Sequence, residues 1–439
     1  MMAKMHSPPR RQQSGEPIPG PALVTGANGY VASWVVRRLL ERGFDVRATV
    51  RDPADPRKTE HLLAMAGELP GTLSLFRADL MERGGFDRAM AGCALVFHTA
   101  SPVVVRGVDD PVRQLIEPAT RGTRHVLEAA NRTPSVRRVV LTSSVSAIYG
   151  DTRDLRRIEA DRFDESHWNE TSSERHLPYS YAKTEAERLA WRIAGKQDRW
   201  DLVAVNPGLV LGPSLDPHSS PESVQLMREL GNGSLRLGVA QVEFGVVDVR
   251  DVAEGHLRAG LIPEASGCHI LVSETMGLPE VVRVLRSHFG NRFPFPRFTV
   301  PRLVATLFSP LLGVPRKLVW RNAGHPLRFD NRYAKSDLGM SFRPAAEAIV
   351  DHFRQLLDDG LVEEPGRGRF SASNCRLRMR LCVGWPALWR PRVEPFQAFQ
   401  GAVIVGRWST SASSIARPPA IPSFLCVLSG YRSCPRLSA

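Results

Sequence analysis

The sequence predicts an α/β protein with a doubly wound parallel sheet and a smaller, partly helical C-terminal lobe. From residue 21 onwards, short apolar segments alternate with segments of helical periodicity. A glycine-rich turn joins the first predicted strand to the first predicted helix, and a later helix carries a Tyr and a Lys four positions apart. Strands that alternate with helices in this way form βαβ units, which build parallel sheets covered by helices on both faces.

The periodicity predicts seven strands and three long helices. The strands are predicted at residues 22–25, 45–50, 73–76, 95–97, 136–142, 201–206 and 269–272. The helices are predicted at residues 30–42, 112–131 and 179–193, where apolar side chains recur about every 3.6 positions. Beyond residue 208 prolines and glycines become frequent and the helical segments shorter, which indicates the separate lobe.

The turn after the first strand has the sequence GANGYVA, a GxxGxxA pattern that begins at Gly26. Gly26 permits the tight turn, Gly29 lets the backbone approach a pyrophosphate, and Ala32 lets helix and strand pack closely. A purely structural turn is the alternative, but the position between a strand and a helix favours a Rossmann-type dinucleotide site. The expected cofactor contacts in this turn are Gly26, Asn28, Gly29, Tyr30 and Val31.

The end of the second strand indicates which dinucleotide binds. An Asp or Glu there would bond the ribose 2′-hydroxyl of NAD, whereas an Arg accommodates the 2′-phosphate of NADP. Arg51 stands at this position, and Lys58 follows on the next segment. Both could instead be ordinary surface charges, but the planar fork of Arg suits a phosphate. We therefore expect NADP(H), with Asp79 and Leu80, after the third strand, near the adenine.

A Tyr and a Lys at helical spacing predict the catalytic centre. Tyr179 and Lys183 lie on one face of a helix, one turn apart. The Lys ammonium stabilises the phenolate, which lowers a Tyr pKa that would otherwise be near 10. Tyr181 is out of phase with Lys183. Ser143 and Ser144 end the fifth strand and point to opposite faces if extended, so only one of them is expected to be catalytic.

The basic charge does not indicate a nucleic-acid partner. Residues 365–439 contain eleven Arg and one Glu, with no Lys and no Asp, and so carry +10 of the formal net charge of +13. The preceding residues are nearly neutral, which suits a small-molecule enzyme better than a DNA-binding protein. The sequence also lacks an apolar segment of about 18 residues, so no membrane partner is expected.

The six cysteines form no CxxC pair and no zinc spacing. We therefore expect no metal site and a reducing, cytoplasmic location.

Four parts of the chain are expected. Residues 1–20 are polar and are predicted to be a disordered leader, and residues 21–207 form the NADP-binding Rossmann domain with the catalytic residues. Residues 208–364 form the substrate lobe, interleaved with the last strands of the sheet. Residues 365–439 are interpreted as a basic tail of low order. A second hypothesis is that this tail is not native and results from translation past the natural end of the protein.

The motif set resembles the extended short-chain dehydrogenase/reductase family, within the NAD-dependent epimerase/dehydratase superfamily, and its dihydroflavonol-reductase-like branch. The motifs are TGANGYVA (25–32), VRATVRD (46–52), VFHTASPV (96–103), LTSSVSAIYG (141–150), YSYAK (179–183), NPGLVLGP (206–213) and DVRDVAEGH (248–256). The resemblance spans residues 21–362 and implies Ser144, Tyr179 and Lys183 as the catalytic triad. It implies Arg51 and Lys58 as ligands of the 2′-phosphate. The further cofactor contacts that it implies are Thr99, Ala100, Ser101, Tyr179, Lys183, Pro207 and Leu209.

These features predict an NADPH-dependent reductase that converts a ketone or aldehyde to an alcohol. The expected substrate is a small hydrophobic or aromatic carbonyl compound, bound between residues 100–105, 147–168 and 210–245. Plant dihydroflavonol reductases use an Asn to read the flavonoid ring, and Tyr149 takes that position here, which disfavours a flavonoid. One alternative is an NAD-dependent sugar-nucleotide epimerase or dehydratase, which Arg51 argues against. The other is a non-enzymatic dinucleotide-sensing regulator, which typically lacks the Tyr or the Lys. The oligomeric state stays open.

Overall fold

The computed structural model describes residues 20–101, 108–159, 161–218, 221–312 and 314–364. Within them, the strands in chain order are β1 (Ala22–Thr25), β2 (Asp45–Val50), β3 (Thr72–Arg77), β4 (Leu95–His98), β5 (Arg138–Thr142), β6 (Asp201–Pro207), β7 (Leu209–Leu211), β8 (Val239–Ala240), β9 (Glu243–Asp248), β10 (Gly267–Leu271), β11 (Glu274–Gly277) and β12 (Thr299–Val300). The leader before Gly20, residues 102–105 of the expected pocket wall and the basic tail lie outside the described residues.

The helices of the described residues divide between the sheet and the lobe. In chain order they are α1 (Tyr30–Glu41), α2 (Pro56–Glu68), α3 (Asp87–Met90), α4 (Glu117–Arg132), α5 (Pro178–Ala194), α6 (Glu222–Gly231), α7 (Val249–Leu261), α8 (Leu278–Phe289), α9 (Arg302–Phe308), α10 (Arg316–Asn322), α11 (Arg332–Asp337) and α12 (Ala345–Asp358). None of those in the described ranges is long and apolar enough to cross a lipid bilayer.

The central sheet has seven parallel strands in the order β10-β6-β5-β4-β1-β2-β3. The strand order reverses between β1 and β4, and a doubly wound sheet binds its ligand in the crevice at this point. In β4 and β6, His98 and Val205 pair with Leu141 and Thr142 of β5. The carboxyl ends of these strands therefore meet at one edge. This arrangement confirms the predicted fold class.

Two helical segments differ from the sequence-based expectation. Helix α2 was not predicted, although Asp55 accepts a hydrogen bond from the Arg57 N–H and Pro56 opens the helix, which are ordinary start signals. Only its face around Leu62 and Met65 is buried, so its apolar pattern is weak. The helix predicted from residue 112 begins as a π turn, Val112–Ile116. Pro118, in the first turn of α4, has no N–H to donate to the preceding carbonyls.

A buried arginine joins the sheet to the helix that covers it. Arg138, at the start of β5, is 1% exposed. Its guanidinium donates to the carbonyl oxygens of Ala259 (3.2 Å), Ile262 and Pro263 (2.7 Å), at the end of α7. The last carbonyls of a helix have no partner within the helix, and Arg138 supplies partners for them in the protein interior.

The lobe has its own sheet and apolar core. Strand β9 pairs in parallel with β7 and antiparallel with β11, and helices α6, α8 and α12 pack around this sheet. Ion pairs connect the start of α7 to the lobe. Arg250 lies 2.9 Å from the carboxylate of Asp351, and Arg343 pairs with Asp251. The DVRD motif therefore has a structural role, since it joins the central sheet to α12 and the segment before it.

Replacing Arg138 by Met should destabilise the protein by about 2–4 kcal/mol, because the carbonyls at the end of α7 would lose their buried donor. Urea unfolding followed by circular dichroism would measure this change. The neighbouring Arg137 is exposed, so Arg137→Met serves as the matched control and should change stability little. Equal stability of the two variants would contradict this role of Arg138.

Candidate active site

The glycine-rich turn is shaped for close approach of an anion. Gly26 has φ +63°, and a Cβ on it would lie 3.0 Å from the Cβ of Ala100. No side chain of the described residues caps the start of α1, so the N–H groups of its first turn, from Tyr30 and Val31 onwards, are available to a phosphate. The Tyr30 hydroxyl donates to the Gly212 carbonyl, 2.6 Å away, so Tyr30 can offer a phosphate only its backbone.

Hydrogen bonds at Thr25 hold the ends of β1 and β4 together. The Ala100 N–H donates to Thr25 Oγ1 (3.0 Å), and the Thr99 hydroxyl donates to the Thr25 carbonyl. His98 Nδ1 lies 3.0 Å from Thr25 Oγ1, and burial lowers the pKa of His98 to about 3. The imidazole is therefore neutral, which fits a wall of the cofactor crevice better than an acid catalyst. Ser101 is half-buried and directly follows the residues that bond to Thr25.

The residues predicted to select NADP lie beyond the end of β2. Arg51 is exposed and forms no ion pair with any described residue. Lys58, in the first turn of α2, lies 3.3 Å from the Asp55 carboxylate. A 2′-phosphate between the two cations would gain a planar donor from Arg51 and a point charge from Lys58.

The two residues assigned to the adenine have separate partners. Asp79 accepts a hydrogen bond from the Met81 N–H (2.8 Å). The Leu80 carbonyl lies 2.8 Å from His125 Nδ1 on α4, and its side chain packs so closely on Gly122 that a Cβ there would be 2.9 Å away.

The predicted catalytic side chains meet at the carboxyl edge of the sheet. Ser144 follows β5 and interacts with Tyr179 in the first turn of α5, and its hydroxyl donates to the Ser146 hydroxyl, 3.0 Å away. Lys183 is 7% exposed and donates to the Thr142 carbonyl (3.3 Å). Burial raises the pKa of Tyr179 to about 12 and Ser144 opposes that rise, so the lowering expected from Lys183 is not found. Burial lowers the pKa of Lys183 to about 8, and the charge of Glu187 opposes that change.

The two serines after β5 have separate partners. Ser143 turns away from the cleft and donates to the carboxylate of Glu187, whereas Ser144 faces Tyr179. The same carboxylate accepts from Asn206 Nδ2 (2.9 Å) and Trp191 Nε1 (3.2 Å). Burial raises the pKa of Glu187, and the donors and Lys183 oppose that rise. Three converging donors suit an ionised carboxylate, which can only accept hydrogen bonds.

Glu187 and Asn206 were not among the sequence-based candidates. Asn206 lies in β6 and also donates to the Ser144 carbonyl (3.1 Å), so it connects the buried carboxylate to Ser144. The signal for Glu187 was its spacing, since residues 179, 183 and 187 share one face of a helix. Asn206 is the last residue before Pro207 in NPG, and its amide had no separate signal.

The remaining predicted contacts lie at the same edge. Pro207 ends β6, and its carbonyl lies 3.4 Å from Ser144 Oγ. Leu209 begins β7 and is half-buried against the lobe core. Tyr149 is buried, with its ring 5.2 Å from Phe163 and 5.5 Å from Phe329, so it belongs to an aromatic cluster beneath the cleft.

Comparison with known proteins places the chain in a family. The model of the NAD dependent epimerase/dehydratase family matches residues 22–270, more than half of the chain. The chain belongs to this family. A cinnamoyl-CoA reductase of Medicago truncatula, CAD2, is 43% identical over 335 residues, covering 76% of this chain and 94% of the relative. Cinnamoyl-CoA reductase 1 of Petunia hybrida is 36% identical, covering 81% of this chain and 96% of that relative.

A solved structure of the same fold is that of the yeast methylglyoxal/isovaleraldehyde reductase Gre2 with NADPH. It is 27% identical, with a TM-score of 0.62, and the match covers 78% of this chain and all of that one. The family assignment made from the motifs is thus confirmed.

Replacing Arg51 by Gln should raise the KM for NADPH about tenfold or more and leave the KM for NADH nearly unchanged, because only NADPH carries the 2′-phosphate. Initial rates with each cofactor would measure both constants. Arg192 is exposed at the far end of α5, and Arg192→Gln should leave both constants unchanged. An equal loss with NADPH and NADH in Arg51→Gln would contradict phosphate recognition.

Proposed function

We propose that the chain reduces a ketone or aldehyde carbonyl to an alcohol with NADPH, using Ser144, Tyr179 and Lys183. The observation that carries this proposal is the convergence of buried Ser144 and Lys183 with half-buried Tyr179 beside a glycine-rich turn that is open to phosphate. The reductases among the relatives and the NADPH complex of Gre2 confirm the predicted oxidoreductase class and cofactor.

The turn at Gly26 and the uncapped start of α1 fit the pyrophosphate, and Arg51 and Lys58 would hold the 2′-phosphate. When bound, NADPH supplies the hydride for the carbonyl carbon. The Ser144 hydroxyl donates to the carbonyl oxygen and orients it. Tyr179 donates its proton to that oxygen as negative charge develops on it, and the Lys183 ammonium stabilises the resulting phenolate.

The proposed substrate is a carbonyl compound with a hydrophobic or aromatic body, and residues 208–364 supply the lobe that covers it. Several relatives are named for cinnamoyl-CoA, an aromatic thioester, so a thioester is a candidate beside simple aldehydes and ketones. Its reduction would consume NADPH and a proton and release an aldehyde and a free thiol. We place the reaction in the cytoplasm, and the described cysteines Cys93 and Cys268, both buried free thiols, agree with a reducing compartment.

A substrate panel tests this function. Loss of NADPH absorbance should accompany turnover of aromatic aldehydes, ketones, dihydroflavonols or cinnamoyl-CoA, with NADH much slower, and a thiol reagent would identify thioester reduction. Tyr179→Phe should lower kcat by about 10²–10⁴-fold, whereas Tyr181→Phe should not. Unchanged turnover in Tyr179→Phe would refute the assignment. Tightly bound NAD in the purified protein, with no turnover, would instead favour the epimerase reaction.

The pH profile tests the buried pair of Lys183 and Glu187. The ammonium must keep its proton to stabilise the phenolate, so kcat should fall as the pH rises through about 8, the pKa of Lys183. Removing the negative charge in Glu187→Gln lowers that pKa further, so the alkaline limb should move down by about one pH unit. Glu185→Gln, which alters a half-exposed carboxylate on the same helix, is the control. An unshifted limb in Glu187→Gln would show that Glu187 does not act through Lys183.

A further inference from the structure

An apolar surface is exposed on one side of the lobe. Its residues, which we call the α9 face, lie on α9 and the 3₁₀ turn Ser309–Leu312 that follows it. Their exposed fractions are 70% for Leu303, 44% for Val304, 61% for Leu307, 51% for Phe308 and 73% for Leu311.

The α9 face is an unpartnered side of an amphipathic helix. Positions 303, 304, 307 and 308 fall on one side of it, and Ala305, on the opposite side, is 3% exposed and packs into the lobe core. Phe298, which precedes β12, the strand that leads into α9, is also 70% exposed. A cluster of exposed large apolar side chains of this kind is unusual unless something covers it.

The segment that carries the α9 face has charge of one sign, and only Arg292, Arg321 and Arg328 within it pair with described acidic residues of other segments. Residues 281–329 contain eight Arg and one Lys but no Asp or Glu. Arg297, Arg316 and Lys317 are exposed and form no ion pair with any described acidic residue. Arg302, on α9 itself, lies 4.1 Å from the centre of the Trp320 ring. Any partner of this face must therefore combine an apolar interior with negative charge at its rim.

Two occupants from the chain itself do not meet this requirement. A second copy seated on the same face would bring two basic rims together, and like charges across an interface oppose association. Residues 365–439 carry a net charge of +10 and would be repelled in the same way.

The surface of an anionic lipid bilayer does meet it. Interfacial helices insert leucine and phenylalanine at the boundary of the acyl chains while arginine and lysine reach the headgroups. We propose that the α9 face docks the protein on an anionic lipid surface. The expectation of no membrane partner rested on the lack of a long apolar segment, a criterion that does not detect a short interfacial helix.

The α9 face is connected to the substrate side of the cleft. Helix α10, which packs on α9, ends at Asn322, whose side-chain oxygen accepts from the Thr152 N–H (2.9 Å). The buried Asp151 carboxylate accepts from Arg321 and from His176, each at 2.9 Å. These bonds attach α10 to the segment that follows the catalytic serine and precedes α5. A protein docked through α9 would thus be linked through α10 to a segment of its own cleft wall.

Co-sedimentation of the full chain with vesicles tests the proposal. Vesicles of phosphatidylcholine and phosphatidylserine should bind the protein, phosphatidylcholine alone should bind it poorly, and salt should weaken binding. The double variant Leu307→Ser/Phe308→Ser should bind at least about tenfold more weakly and keep wild-type reductase activity. Leu63 and Met81 are also exposed, at 52% and 39%, so Leu63→Ser/Met81→Ser is the matched control.

Three outcomes would overturn the proposal. The first is no binding to anionic vesicles at low salt. The second is equal binding by the wild type and the α9 variant, which would assign the binding to other basic residues, including those of the tail. The third is a dimer or an acidic protein complex that the α9 variant abolishes while vesicle binding persists.

A second variant provides an independent readout if the serine variant folds poorly. Arg316→Gln/Lys317→Gln keeps the apolar residues and should lose only the phosphatidylserine-dependent part of binding.

Discussion

The structure depends on the burial of β5 between β4 and β6, because this burial constrains the polar groups at both ends of the strand. A strand buried on both faces must satisfy every polar group that it carries into the interior. At its start the two terminal nitrogens of Arg138 bond carbonyls at the end of α7, so the guanidinium joins the sheet to its covering helix. After the other end of β5, the hydroxyls of Ser143 and Ser144 point to opposite sides. Ser143 bonds the Glu187 carboxylate, whereas Ser144 faces Tyr179.

The buried carboxylate of Glu187 determines how α5 is rotated against that edge. Its donors come from the end of β5, from β6 and from the next turn of α5, so only one rotation of the helix satisfies all of them. Lys183 and Tyr179 precede Glu187 by one and two turns on the same face, and that rotation carries both towards the cleft. The Lys183 ammonium and the Glu187 carboxylate are buried one turn apart, so each offsets part of the desolvation cost of the other. Either charge buried alone would lack this compensation.

Much of this architecture could be predicted because its signals are local. The glycine-rich turn, the apolar strands and the spacing of Tyr179 and Lys183 each depend on a few neighbouring residues, and all of them agree with the structure. The rest depends on which face of an element is buried. Helix α2 was missed because only one narrow side of it packs, and Glu187 was passed over because buried and exposed glutamates look alike in a sequence. The choice between Ser143 and Ser144 needed the position of α5.

The path of the chain between sheet and lobe limits how this protein can be altered. After β6 the chain enters the lobe at β7, returns to the sheet for α7 and β10, and leaves again at β11. The ion pairs of Arg250 and Arg343 join the returning helix to α12 and its preceding segment. The lobe is therefore not one continuous stretch of the chain. A chimera that joins two relatives at a single point would take parts of the same apolar core from different proteins. New substrate ranges are more accessible through substitutions in the walls of the cleft than through exchange of whole modules.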